Sequence, residues 1–158
     1  MYKRQGLRFS EATGLTKADI DFDNLLLNVN KTWLDRGSNK GFAPTKNKNS
    51  VRVVPIDDET AKMLKLYLNT IVSDRLFSNT TNKYTNIKLK QLLEKKITVH
   101  SLRHTYVSIL ISKGIDIYTI SKLVGHKDTT VTLNTYAHLL KDTEEKNHSL
   151  IREVLKNI

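Results

Sequence analysis

Residues 99–113 read Val-His-Ser-Leu-Arg-His-Thr-Tyr-Val-Ser-Ile-Leu-Ile-Ser-Lys and run into Gly114. Their apolar residues recur with the helical period, and a glycine just past the last of them is a normal helix stop. On such a helix His100 and Arg103 are three apart and share one face, while Leu102 points elsewhere, toward the core. The stretch therefore predicts a helix that carries a titratable and a cationic side chain on one side.

The rest of the chain is read outward from this helix. Downstream, residues 117–124, 130–139 and 142–157 have helical periodicity, with Asp116 as a cap and Gly125 as a stop. Upstream, 84–96 is helical, and Asp57 or Asp58 caps a helix with apolar positions Ala61, Leu64, Leu68 and Ile71. Residues 7–13 form a short helix that Gly14 ends in the left-handed conformation. Thr16 to Ile20 form a single turn, Leu25 to Trp33 a strand, and Arg36 to Gly41 a loop. Phe42 to Thr45 and Ser50 to Ile56 flank the polar tetrad Lys46-Asn47-Lys48-Asn49, a pattern that predicts a β-hairpin. Ser78 to Asn82 is a polar loop. The fold class is α+β: a mainly helical domain with a small antiparallel β-sheet near its N-terminus.

A length of 158 residues suits one domain, and a hydrophobic share of 39% with 27% charged residues suits a folded one. The 26 Lys and Arg against 16 Asp and Glu leave a formal charge of +10, which favours a polyanionic partner, DNA or RNA before a membrane surface. The basic residues are scattered rather than gathered opposite an apolar helix face, which argues against a membrane surface. Apolar runs such as Leu25-Leu26-Leu27 are too short for a membrane span or a signal-peptide core. The absence of cysteine excludes disulfides, zinc-thiolate sites and a thiol nucleophile. These features predict a cytoplasmic protein.

The residues able to carry chemistry are Arg8 and Glu11, three apart on the first helix; Lys46 in the polar tetrad; His100 and Arg103; His126 after Gly125; and Tyr136 ten positions on. Singly, each type is more often structural than catalytic. In order, the set resembles the catalytic constellation of the tyrosine recombinases, the phage-integrase family of site-specific DNA recombinases. The resemblance includes Gly-Leu-Arg-x-x-Glu-Ala-x-x-Leu at residues 6–15 and Leu-Val-Gly-His at 123–126, and it spans nearly the whole chain. Residues 99–138 are most similar to integrases of conjugative transposons and prophages.

The chemistry gives a separate reason for these residue types. A phosphodiester gathers negative charge on its non-bridging oxygens as it becomes pentavalent, and forked guanidiniums suit that charge. Arg8 and Arg103 are the expected clamp. Tyr136 is the nucleophile type in the set, able to form a phosphotyrosine that splits one exchange into two steps. By resemblance, Lys46 protonates the leaving 5′-oxygen, with Lys48 two positions away as the rival. His100 assists proton transfer at the attacking tyrosine or donates to the phosphate. His126 hydrogen-bonds a non-bridging oxygen, and Glu11 orients an Arg or His. Lys48, Arg52 and Lys127 are expected DNA contacts. The cationic side chains supply the charge that Mg²⁺ supplies elsewhere, so neither metal nor cofactor is expected.

By resemblance again, residues 1–158 are a single catalytic domain, an N-terminally truncated fragment without the family's core-binding and arm-binding domains. Double-stranded DNA is the expected partner, with assembly into a tetramer on it. Leu150, Ile151, Val154, Leu155 and Ile158 make a stripe on the 142–158 helix, which packs on its own domain or docks on a neighbouring protomer. Two rivals use part of the same pattern. Residues 116–138 also fit a helix-turn-helix regulator without catalysis, although that reading leaves Arg8, Lys46, His100 and Arg103 idle. A type IB topoisomerase-like enzyme shares the tyrosine and the clamp but relaxes DNA instead of exchanging strands.

Overall fold

The computed structural model describes residues 5–35, 40–94 and 97–156, and the side chains of these except 140–147, 149 and 150. Helix α1 spans Phe9–Gly14 and is followed by a 3-10 turn, Lys17–Asp19. Strands β1 (Ile20–Asp21), β2 (Leu26–Val29) and β5 (Arg52–Pro55) form an antiparallel sheet in the order β1-β2-β5, while β3 (Lys31–Leu34) pairs with β4 (Gly41–Pro44). Helices α2 (Asp58–Leu68), α3 (Asn82–Leu93), α4 (Val99–Ser112), α5 (Ile117–Val124) and α6 (Thr129–Lys156) complete the described chain. This is the α+β architecture expected.

The helix starts follow from capping chemistry. The side chains of Asp57, Thr81, Thr98 and Asp116 each accept a backbone N–H of the first turn of α2, α3, α4 and α5. Gly114 and Gly125 lie past the ends of α4 and α5 with φ of +78° and +67°, as expected of left-handed stops.

Several expectations need correction. Leu25–Trp33 is not one strand. It divides at Asn30 between β2 and β3, and there the side chains of Asn30 and Lys31 turn to the carboxylate of Asp19. The β-hairpin expected around Lys46-Asn47-Lys48-Asn49 does not form, because its two arms pair with different strands. Residues 41–44 pair with β3, and β5 pairs with β2 so that Leu27 faces Val54, both fully buried. Burying those apolar side chains at roughly 1.5–3 kcal/mol each outweighs the local turn preference. The tetrad instead links β4 of one sheet to β5 of the other, its end wound into a 3-10 turn at Lys48–Ser50. Ile71 falls beyond α2, and the two helices expected over 130–139 and 142–157 run on as α6, broken only by non-helical torsions at Tyr136 (φ −120°, ψ 15°). The Arg36–Gly41 loop, the end of the 84–96 helix and the side chains of Leu150 and Ile158 lie at least partly outside the described residues.

Gly14 is present for a different reason from the one expected. Its φ is not left-handed; it is the last residue of α1, lying against β3, and a Cβ there would sit 2.8 Å from the backbone of Thr32.

The apolar side chains form two clusters. One joins α1, the β1-β2-β5 sheet and α2 through Leu7, Leu15, Leu27, Val54, Leu64 and Leu76. The other joins α4, α5 and α6 through Val107, Ile111, Ile120, Val124 and Tyr136.

Gly14→Ala should destabilise the domain by about 1–3 kcal/mol, because the added methyl meets backbone that cannot swing aside. Gly41→Ala, where a Cβ meets nothing within 4 Å, is the control. Equal denaturation midpoints for the two variants would show that α1 is not pressed against β3.

Candidate active site

The last carbonyls of a helix lack intrahelical donors and carry the negative end of its dipole. In α5 they are taken by three arginines from three other parts of the fold. Arg52 donates through Nε to Leu123 O at 2.6 Å, Arg103 through Nη2 to Val124 O at 2.6 Å, and Arg8 through Nη2 to Gly125 O at 2.9 Å. The left-handed turn at Gly125 makes this possible, since a Cβ there would lie 2.8 Å from Arg52 Nη1.

Glu11 holds two of the three from beneath. Its carboxylate, only 2% exposed, accepts from Arg8 Nη1 at 2.6 Å, from Arg52 Nη2 at 2.9 Å and Nη1 at 3.2 Å, and from the Arg8 backbone N–H at 2.9 Å. Burial alone would raise its pKa, but the hydrogen bonds and charge of Arg52, then those of Arg8, outweigh burial and hold the carboxyl below its usual range. Glu11, expected to orient an Arg or His, thus bonds the side chains of two arginines.

Arg103 is 4% exposed and gives its other arm to Gly6 O at 2.7 Å. Burial is the main cause that lowers its pKa to about 10, the charges of Arg8 and Arg52 adding to it, so it stays a cation at neutral pH. Three guanidiniums around one carboxylate leave about two positive charges uncompensated, an electrostatic setting that calls for an anion. Arg8, with 31% of its side chain exposed, is the arm nearest solvent.

His126 follows Gly125 directly, and its Nδ1 lies 2.7 Å from the hydroxyl of the buried Thr132. Burial first, then the charges of Arg103, Arg8 and Arg52, lower its pKa to about 4. The ring is neutral at physiological pH and keeps a nitrogen for a ligand.

Tyr136 packs in the second apolar cluster at 5% exposure, at the break in α6. Its hydroxyl lies 2.6 Å from Nδ1 of His104. Burial raises the pKa of the phenol, and the Arg103 charge opposes that. His104, not among the expected site residues, is the histidine in contact; His100 stacks edge-on against it with centroids 4.6 Å apart. The signal was in the helix sequence itself, since His100 and His104 are four apart and share the face that carries Arg103.

The lysines are peripheral. Lys46 is exposed, as are Lys48 and Lys127. Lys48 and Lys127, but not Lys46, line a groove of about 860 Å³ with Tyr118, Lys122 and His126. Arg8, Arg103 and Tyr136 are not among the residues that line it. Arg52, expected as a DNA contact, also lines this groove, but its side chain is 6% exposed and bound to Glu11, Ser50 O and Leu123 O. Among the described residues no group of three or more His, Asp or Glu side chains is placed to hold a metal, and no helix is long and apolar enough to cross a membrane.

Residues 1–143 match the phage integrase family, and the chain belongs to it. It is 32% identical to a XerC-like tyrosine recombinase of Caldanaerobacter subterraneus over 85% of this chain and 43% of that protein. It is 31% identical to the transposase of transposon Tn916 from Enterococcus faecalis, over 89% of this chain and 41% of that protein. The chain thus spans less than half the length of these curated relatives. Among solved structures, the integrase of transposon Tn1549 in complex with transposon right end DNA superposes with a TM-score of 0.81 over 95% of this chain and 56% of that one, at 23% identity. The catalytic domain of bacteriophage HP1 integrase superposes at 0.56 over 87% of this chain and 70% of that one, with 26% identity.

The state of His126 sets a pH dependence. Its folded pKa of about 4 lies below the ordinary 6.5, so the unfolded chain binds more protons between these values. Its contribution to stability is complete above pH 6.5 and is lost as the pH falls toward 4. The depressed Glu11 acts in the same direction at lower pH, its contribution present above 4.5 and lost below. His126→Asn should therefore flatten the fall in stability between pH 6.5 and 4 in denaturant titrations; an unchanged slope would show that the ring protonates freely in the folded protein.

Proposed function

We propose that this chain is the catalytic domain of a site-specific DNA recombinase that cleaves and rejoins strands through a 3′-phosphotyrosine at Tyr136. The observation that carries this reading is the hydroxyl of Tyr136 held by a histidine next in sequence to the buried Arg103, in a site with a surplus of fixed positive charge. A scissile phosphate would take the remaining donors of Arg8 and Arg103. Of the five donors in a guanidinium, Arg103 commits two to carbonyls, which leaves three. His126 would donate to a non-bridging oxygen, with the Thr132 hydroxyl donating to Nδ1 so that the ring proton sits on Nε2.

The phenolic oxygen attacks phosphorus, the bond to the 5′-oxygen breaks, and Lys46 protonates that oxygen as it leaves. The phosphotyrosine conserves the ester, so a free 5′-hydroxyl of another duplex reverses the step and seals the exchanged strand. No nucleotide energy source is required. Double-stranded DNA is the partner, Lys48 and Lys127 meeting its backbone. Recombination needs paired protomers, and the exposed Ile151, Val154 and Leu155 near the end of α6 offer a stripe for docking a neighbour in a tetramer. A helix-turn-helix regulator would leave the three arginines and the Tyr136 contact without a task, and the match to the phage integrase family along residues 1–143 also speaks against it.

The test is a nicked duplex carrying a candidate core site, whose short 5′ fragment diffuses away after cleavage. A covalent protein–DNA adduct should appear on a denaturing gel and be lost in Tyr136→Phe; an adduct that persists in the variant excludes Tyr136 as nucleophile. Lys46→Ala should slow cleavage about 100-fold or more. A substrate with sulfur in the 5′-bridging position should restore it, because a thiolate leaves without a proton. Restoration confined to Lys48→Ala would move the role to Lys48.

A further inference from the structure

Once Arg8, Arg103, His126 and Tyr136 have been given their tasks, the contact between Tyr136 Oη and His104 Nδ1 remains without one. We propose, building on the phosphotyrosine reading above, that His104 is a catalytic residue that accepts the phenolic proton of Tyr136 on cleavage and returns it on religation.

The need for an acceptor follows from the phenol. An ordinary tyrosine titrates near 10, and burial moves Tyr136 upward, so at neutral pH the nucleophile is protonated and must lose its proton as it attacks. His104 Nδ1, at 2.6 Å, is within direct transfer distance. His100 stands one ring farther away, stacked on His104 and not on the phenol.

The surroundings keep His104 ready to accept. The groups that face it are His100 and Arg103 from α4, Tyr136 from α6 and His126 from the turn between α5 and α6. Burial, then His100 and Arg103, lower its pKa, so a nitrogen lone pair is free at neutral pH. When the transition state forms, the charge on the phosphoryl oxygens offsets the new imidazolium. The step balances: the Tyr136 O–P bond forms, the P–O5′ bond breaks, the phenolic proton moves to His104 and the leaving oxygen takes a proton from its own acid. His104 as a whole is exposed, so its proton can exchange with solvent between the two halves of the reaction.

A purely structural clamp makes the opposite forecast, since releasing Tyr136 from it would speed attack. Single-turnover adduct formation on the nicked duplex should fall about 100-fold or more in both His104→Ala and His104→Asn, with duplex binding retained. Asparagine fills the position of Nδ1 with an amide but cannot take a proton, and free imidazole should restore rate to the alanine variant alone. Rates within threefold of wild type, or faster, overturn the proposal.

A second measurement needs no cleavage and stands even if the phosphotyrosine reading fails. Ring ¹⁵N shifts of His104 should show the neutral tautomer with its proton on Nε2, and Tyr136→Phe should raise the His104 titration midpoint by removing the bond that favours the neutral ring. A neutral ring with the proton on Nδ1, or a midpoint that does not move, overturns the proposal whatever the chain does to DNA.

Discussion

The carboxylate of Glu11 is the constraint on which this structure rests. It is buried beneath two guanidiniums and accepts from both, and it also accepts the N–H that opens α1. A buried anion is tolerable only when paired and fully hydrogen-bonded, and a buried cation likewise. Each therefore holds the other in place, and α1 cannot shift without moving the cations. Arg52, in β5, is fixed in turn to the end of α5, so one acidic side chain sets the relation between the first helix, the sheet and the helical half.

The two apolar clusters share none of their core residues, and non-directional burial alone would leave their relative placement loosely defined. What registers them is directional: three consecutive carbonyls, Leu123, Val124 and Gly125, each bonded to an arginine from a different segment. The site lies on this seam. The forces that align the two halves also align the groups proposed to meet the phosphate, and a guanidinium that grips a helix end with one arm can present its others preformed.

The sequence made much of this legible where local chemistry governs. Asp57 and Asp116 cap their helices as read, because a cap depends on residues three positions apart; Thr81 and Thr98 obey the same rule but were not read as caps. Gly125 reads correctly for the same reason. The strands were less legible: which arm pairs with which depends on Leu27 meeting Val54, and nothing near Lys46 in the chain carries that information. The same limit applies to the site. Residue types and order pointed to Arg8, Arg103, His126 and Tyr136, but the burial of Arg52 depends on Glu11, forty-one positions away. His104 was overlooked although it shares a helix face with His100, because spacing shows which side chains are neighbours and not which of them reaches across to another helix.

The break in α6 falls at Tyr136, the residue that packs in the core and meets His104. Beyond it twenty residues of helix run to Lys156, about 30 Å at 1.5 Å per residue. Such an arm acts as a lever with its fulcrum at the phenol: a tilt of roughly ten degrees at the break carries the far end through about 5 Å by that rise. The lever also works in reverse. Whatever holds the tip sets the angle at which Tyr136 is presented, so the proposed nucleophile and the far end of α6 share a single joint.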